Sequence, residues 1–219
     1  MTRLNPLGRD QPLGLATASV RDYREVARRR LPRQMFDYID GGAYEEATMA
    51  ANTADMEAIG LRQRVLRDVS QRTVGTTVLG EDLSIPVVLA PVGLAGMFAA
   101  RAEVQAARAA EHVGVRFVES TVSICSVEEV ASSTKRSPWF QLYVMRDRGY
   151  AEDLMARAQA VGCRVLVLTA DLAVVGARYR DTRNGLGGGI SAQGKAIRGL
   201  DQVSHLRWVS VVGLGGTTK

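Results

Sequence analysis

Four short apolar runs punctuate the middle of the chain: Pro86–Val92 (PVVLAPV), Arg116–Thr121 (RFVEST), Trp139–Val144 (WFQLYV) and Arg164–Asp171 (RVLVLTAD). Each has the length and β-branched or aromatic content of a buried strand. Between them lie stretches with helical spacing of apolar positions, at 101–113, 126–133 and 147–161, the last ending at Gly162. Strand then helix, repeated with 30, 23 and 25 residues between strand starts, predicts a parallel sheet with helices packed outside it. Ahead of this lies a helical segment at roughly 19–58. In it Ser19 and Asp22 have capping-box spacing, and Val20, Tyr23 and Val26 recur at helical intervals. The uncharged run Leu83–Ala100 approaches membrane-spanning length, but Pro86, Pro91, Gly93 and Gly96 make it a strand followed by a loop.

Two architectures share this rhythm, an open doubly wound sheet and a closed (β/α)8 barrel. The polar residues separate them. Ser120 and Thr121, Gln141 and Tyr143, and Thr169 and Asp171 all fall at the C-terminal ends of their strands, while the N-terminal halves are apolar. Barrel enzymes place their chemistry at that end. No Gly-x-Gly-x-x-Gly follows the first strand, which counts against a dinucleotide fold. Along the third run, side-chain alternation puts Phe140, Leu142 and Val144 on one face and Trp139, Gln141 and Tyr143 on the other. Gln141 and Tyr143 therefore point into a barrel mouth. Plainer roles also exist for such residues, since Ser and Thr at strand ends cap helices and a tyrosine fills amphipathic core. Eight units of this size need about 250 residues. Four are found in the 219 residues, followed by a Gly/Ser-rich tail, so the expected fold is an incomplete TIM barrel.

Composition adds few constraints. The chain is 46% apolar and 23% charged, the profile of a soluble globular protein. Its two cysteines, Cys125 and Cys163, form no Cys-x-x-Cys pair, so neither zinc nor a disulfide framework is expected, and reduced thiols suit a cytoplasmic setting. The net charge of +5 is concentrated before residue 34, where eight arginines face only Asp10, Asp22 and Glu25. A solvated arginine face on the first helix explains this. Contact with an anionic membrane surface is the alternative, while nucleic-acid binding lacks any accompanying motif. The first residues do not form a signal peptide.

Five segments, MFDYIDGGAYEE, LAPVGLAGMFAARAEVQAARAAE, ESTVSICSVEEVA, WFQLYVMRDRG and LTADLAVVGARYRDTRNG, occur in order between about Tyr23 and Gly185. In these the chain closely resembles the FMN-dependent α-hydroxy acid dehydrogenases, and among them the bacterial respiratory L-lactate type. SHLRWVSVVGLGG is similar to a degraded His-Pro-Arg-Trp segment in the family's long loop after the fourth strand. The resemblance implies a TIM barrel with FMN at its mouth. It implies that the backbone of Pro91, Val92 and Gly93 runs beside the flavin ring and that Ser120, Gln141 and Thr169 hydrogen-bond it. Tyr38 and Tyr143 would contact the substrate, and Arg178 would bind its carboxylate, a group that a planar guanidinium matches. The implied reaction is oxidation of L-lactate to pyruvate, with electrons passing to a quinone or cytochrome. Family members are often homo-oligomers, and a respiratory role implies a cytoplasmic protein or one peripheral at the cytoplasmic face of the inner membrane.

The chain departs from the family in several places. The family's base is a histidine in a His-Gly-Gly-Arg motif on a later strand, and this chain has only His112 and His205, neither followed by Gly-Gly. The flavin lysine, the second substrate arginine and the phosphate loops belong to the same missing part. Glu119 stands where the family has an apolar residue, Ala173 where it commonly has proline, and Ala177 where an arginine commonly sits beside Arg178. Residues 1–185 are thus expected to be the N-terminal part of an FMN hydroxy acid dehydrogenase domain, and 186–219 a divergent tail that is loop or disordered. Without the base, the chain is expected to be inactive alone. A non-catalytic remnant, or a relative acting on glycolate or mandelate, is the alternative.

Overall fold

The computed structural model describes residues 17–170, 174, 176–186 and 191–214. Three helices open it, α1 (Val20–Arg30), α2 (Arg33–Asp40) and α3 (Ala47–Glu57). The capping box is formed: the Ser19 side chain accepts from the Asp22 N–H while Asp22 accepts from the Ser19 N–H. Arg28, Arg29 and Arg30 occupy the last turn, where positive charge complements the helix dipole. Pro32 separates α1 from α2. Leu31, Met35 and Phe36 are buried there against Ala27, Met97, Phe98 and Trp208.

The repeating unit then begins. Strands β3 (Val88–Leu89), β4 (Arg116–Glu119), β5 (Trp139–Tyr143) and β6 (Leu166–Thr169) form one parallel sheet in sequence order. Helices α4 (Ala102–Val113), α5 (Val127–Ser132) and α6 (Arg148–Ala160) connect them. Register runs Val118 to Trp139, Phe140 to Leu166, Gln141 to Val167 and Tyr143 to Thr169. The helices cover one face of this sheet. Phe117 packs with Val104, Ala107 and Ala110 of α4 and Val130 of α5, and Phe140 and Leu142 pack with Val127 of α5 and Leu154 and Ala158 of α6. Burial of each of the phenylalanine, leucine and valine side chains among these stabilises by about 1.5–3 kcal/mol. The alternation expected for the third run therefore holds, with Phe140 and Leu142 outward and Gln141 inward.

Three expectations need correction. The first run is a strand only at Val88–Leu89, because Pro91, Val92 and Gly93 leave the sheet for a turn ahead of the 3-10 helix Ala95–Met97. A hairpin of β1 (Thr76–Val78) and β2 (Glu81–Leu83) was not anticipated. Its turn places Leu79 and Gly80 both at positive φ, and a leucine there hides the Asn-Gly or Asp-Gly signature such turns usually carry. The hairpin closes the N-terminal end of the sheet: the Glu81 carboxylate lies 2.8 Å from Arg116 and 3.1 Å from Arg136, and accepts from the Trp139 indole at 3.3 Å. Lastly, the tail contains helices rather than loop alone. Following α7 (Tyr179–Asn184) come α8 (Ala192–Ser204) and a short turn α9 (Leu206–Trp208), continued by a π-helical stretch Val209–Leu214. Ser191 caps α8 by accepting from the Gly194 N–H, Asp201 accepts from the Arg33 N–H at 2.7 Å, and the Trp208 indole donates to the Met97 carbonyl at 2.8 Å. The glycines that suggested a loop are outweighed by this cap and by docking on α2. Asp171 and Ala173 lie outside the described residues.

Candidate functional site

Gln141 is the hub of the strand ends. Its side chain, 1% exposed, lies between neighbouring strands. Its Oε1 accepts from the Thr121 N–H at 3.1 Å and from the Ser120 hydroxyl at 3.3 Å, and its Nε2 donates to Thr169 Oγ1 at 2.8 Å. Thr121 closes the weave: its hydroxyl donates to the Gln141 carbonyl at 2.6 Å and accepts from the Tyr143 N–H at 3.2 Å. The ends of β4, β5 and β6 are thereby joined through one set of amide and hydroxyl groups. The loop after β3 abuts this set. A Cβ built on Gly93 would fall 2.7 Å from Val122 Cγ2 and 3.8 Å from Ser120 Oγ, so only glycine lets the Pro91–Gly93 backbone approach this closely. The Leu94 N–H donates to the Val122 carbonyl at 2.9 Å, holding the two loops together.

A second group forms where α2 meets α7. The Arg178 guanidinium lies over the Tyr38 ring at 4.9 Å, donates from Nε to Asp181 at 2.6 Å and from Nη2 to the Tyr38 carbonyl. The Tyr38 ring also stacks with Phe98, with ring centroids 6.2 Å apart and planes 10° from parallel. Arg180 ties α7 to α2 and to the start of α3, donating to Asp40 Oδ2 at 2.7 Å and Glu46 at 2.6 Å, while Arg24 also donates to Asp40 Oδ2 at 2.8 Å. Arg24 and then Arg180 hold the Asp40 carboxyl below the usual aspartate range, against some desolvation. These ion pairs position Tyr38 and Arg178 from behind.

Of the expected site residues, the structure joins Ser120, Gln141 and Thr169 in one hydrogen-bonded set and Tyr38 with Arg178 in another. Tyr143 is tied to the first set through its backbone, with its ring half-buried at the end of β5. Glu119 does not face the mouth: alternation puts it beside Phe117, under the helices. His112 lies on α4 and His205 ends α8, where its Nδ1 sits 2.7 Å from the Asp201 carbonyl. Thr121 was visible in sequence as a polar strand end but not as the group joining two strands. Arg180 was readable only as a charge, because its partners Asp40 and Glu46 lie 140 and 134 positions away in sequence.

The sequence profile described as FMN-dependent dehydrogenase matches residues 27–213. The chain belongs to this family. It is 50% identical over 199 residues to an L-lactate dehydrogenase of Haemophilus influenzae, covering 91% of this chain and 51% of that protein. It is 53% identical over 195 residues to an L-lactate dehydrogenase of Pectobacterium atrosepticum, covering 89% and 50%. The chain thus spans about half the length of the curated relatives it matches. Among solved structures, the monotopic membrane protein (S)-mandelate dehydrogenase superposes with a TM-score of 0.82 at 34% identity, over 92% of this chain and 53% of that one. A mandelate oxidase gives 0.73 at 36% identity, over 81% and 51%. The four parallel strands are therefore the first part of the family's TIM barrel, and the match through residue 213 brings the tail helices into the family region.

FMN is the family's cofactor, and the residues present fit its ring. A flavin presents a flat polar edge with alternating donors and acceptors. The strand ends bring the Ser120 and Thr169 hydroxyls and the Gln141 amide together, beside a backbone stripped of Cβ at Gly93.

Proposed function

We propose that this FMN-dependent dehydrogenase chain supplies the ring-facing and substrate-facing half of a site that oxidises an L-2-hydroxy acid, with L-lactate giving pyruvate. The observation that carries the reading is the Gln141 bridge, which aligns Ser120 and Thr169 on either side of one buried amide. FMN, when bound, supplies the electron acceptor for the hydroxy acid carbon. Around it, Ser120, Gln141 and Thr169 hold the ring's polar edge, and Pro91, Val92 and Gly93 lie along its face. Arg178 binds the substrate carboxylate through Nη1, the guanidinium nitrogen not engaged by Asp181 or Tyr38. Tyr38, braced by Phe98 and Arg178, and Tyr143 orient the hydroxyl end.

Proton abstraction from the substrate is assigned to no residue of this chain, since neither His112 nor His205 lies at the strand ends. The resemblance gives that step, the phosphate cradle and the second carboxylate arginine to the family's later strands. The chain alone therefore does not turn over lactate. Relatives named for lactate share about half of all residues with it, and those named for mandelate about a third, which favours the smaller substrate. Electrons then pass to a quinone or cytochrome. Attachment at the cytoplasmic face of a membrane is supported by the arginine-rich end of α1 and by the relative described as monotopic. Among the described residues no helix is long and apolar enough to cross a membrane. The reading is tested by recording the visible spectrum of the flavin-loaded chain anaerobically before and after L-lactate. A perturbed flavin spectrum that lactate does not bleach is expected. Bleaching would refute the assignment of the base.

A further inference from the structure

A carboxyl group is sealed where the two segments flanking the strand ends meet. Glu103, in the first turn of α4, is 1% exposed. Its Oε1 accepts from the Gly96 N–H at 3.0 Å and from the Ile124 N–H at 2.9 Å. The two donors belong to different segments. Gly96 lies in the 3-10 helix that follows the Pro91–Gly93 turn, and Ile124 in the connection from β4 to α5. The Cys125 thiol is buried next to Ile124. Burial first, and Glu103 next, push it up to about 12, so it stands as a protonated donor to the same carboxyl. Taking a carboxyl out of water is costly unless donors replace the water, and these groups do so.

The two segments touch at this point. The Leu94 N–H donates to the Val122 carbonyl at 2.9 Å, and a Cβ built on Gly96 would fall 2.7 Å from Ile124 Cβ. One segment carries Pro91, Val92 and Gly93, and the other begins at Ser120 and Thr121. We infer that Glu103 is a positioning residue for the flavin site: by holding the Gly96 and Ile124 amides on one oxygen, it fixes the Pro91–Gly93 backbone against the Ser120–Gln141–Thr169 set. The inference rests on the flavin reading given above. Glu103 acts from behind, through backbone, and touches neither cofactor nor substrate. Without its acceptor both amides are released, the Leu94–Val122 bond is left to hold the segments, and the turn at Gly93 drifts from Ser120.

Two measurements on the full 219-residue chain test this: riboflavin titration followed in the visible band, and amide hydrogen exchange without flavin. Wild type is compared with Glu103→Leu, which fills the space without an acceptor, and with Phe117→Leu. The latter loosens the packing of α4 on β4, where Phe117 meets Val104 and Ala107, but keeps the carboxyl. Glu103→Leu is expected to bind riboflavin about tenfold more weakly than wild type. Its Gly96 and Ile124 amides should exchange about tenfold faster relative to those of β5. Phe117→Leu should keep wild-type riboflavin affinity. Equal weakening in both variants would reduce Glu103 to a packing role and overturn the inference, as would unchanged exchange at Gly96 and Ile124. Should Glu103→Leu fail to fold, Glu103→Asp, which withdraws the oxygen by one methylene, takes its place with the same expectations. No riboflavin shift in wild type would overturn the flavin reading and this inference with it. Wild-type binding that the Glu103 variant retains would overturn this inference alone.

Discussion

Replacing Gln141 with leucine removes one amide and leaves three strand ends to find new partners. The side chain is 1% exposed, so leucine of similar volume enters without gaining water. The Thr121 N–H loses its 3.1 Å acceptor, Thr169 Oγ1 its 2.8 Å donor and Ser120 its 3.3 Å acceptor. Each net hydrogen bond lost costs about 1 kcal/mol, and the buried Thr121 N–H left without a partner adds about 1–3 kcal/mol. Leucine's apolar burial offsets about 1–2 kcal/mol of this. A net loss of about 2–5 kcal/mol results. Urea denaturation followed by circular dichroism should show the midpoint fall with an unchanged slope. Gln141→Glu, which retains an acceptor but not the donor to Thr169, should fall between wild type and Gln141→Leu. If Gln141→Leu were as stable as wild type, the amide would not be what joins the strands. If it unfolded no more easily and still perturbed added flavin, the ring-facing role would go as well.

Further outcomes follow from other parts of the molecule. Glu81→Gln leaves the enclosed Arg116 guanidinium without its charge partner and should cost about 3–5 kcal/mol, read as a lowered melting temperature. Arg178→Lys keeps the charge but not the fork between Asp181 and the Tyr38 carbonyl, and should cost about 1–3 kcal/mol by urea titration, with exposure of Tyr38 to nitration rising. Glu128 has its carboxyl pulled down to about 2, first by the Arg157 hydrogen bond, yet both partners are about half exposed. Glu128→Gln should thus change stability at pH 7 by less than about 1 kcal/mol, and what it contributes should disappear as pH falls toward 2.

The strand and helix rhythm was legible because each unit is local: a run such as Trp139–Val144 and the helix after it are neighbours in sequence. Inward placement of Gln141 followed from alternation alone, since a strand with one buried apolar face has no freedom to slip. What sequence pattern missed depends on distant partners or on local rules broken. The β1–β2 hairpin uses Leu79 where its turn prefers Asn or Asp, and its purpose is evident only once Glu81 meets Arg116 and Trp139. The tail looked like loop because Gly194 and Gly199 lower helix propensity, whereas Ser191, Asp201 and Trp208 fix it by a cap and by contacts to Arg33 and Met97 more than a hundred positions earlier. Glu119 was readable as a departure from its family, but its near-complete burial required the packing of the helices on β4.

The proposed function requires this half barrel to carry the ring-facing side of a flavin site and not its phosphate cradle. Titrating the purified chain in parallel with FMN and with riboflavin, following the visible absorption band, tests that directly. Both should bind weakly, with comparable affinity and the same spectral shift, and both shifts should vanish in Gly93→Val, whose side chain collides with Val122. No shift with either flavin, or FMN binding far more tightly than riboflavin, would contradict it.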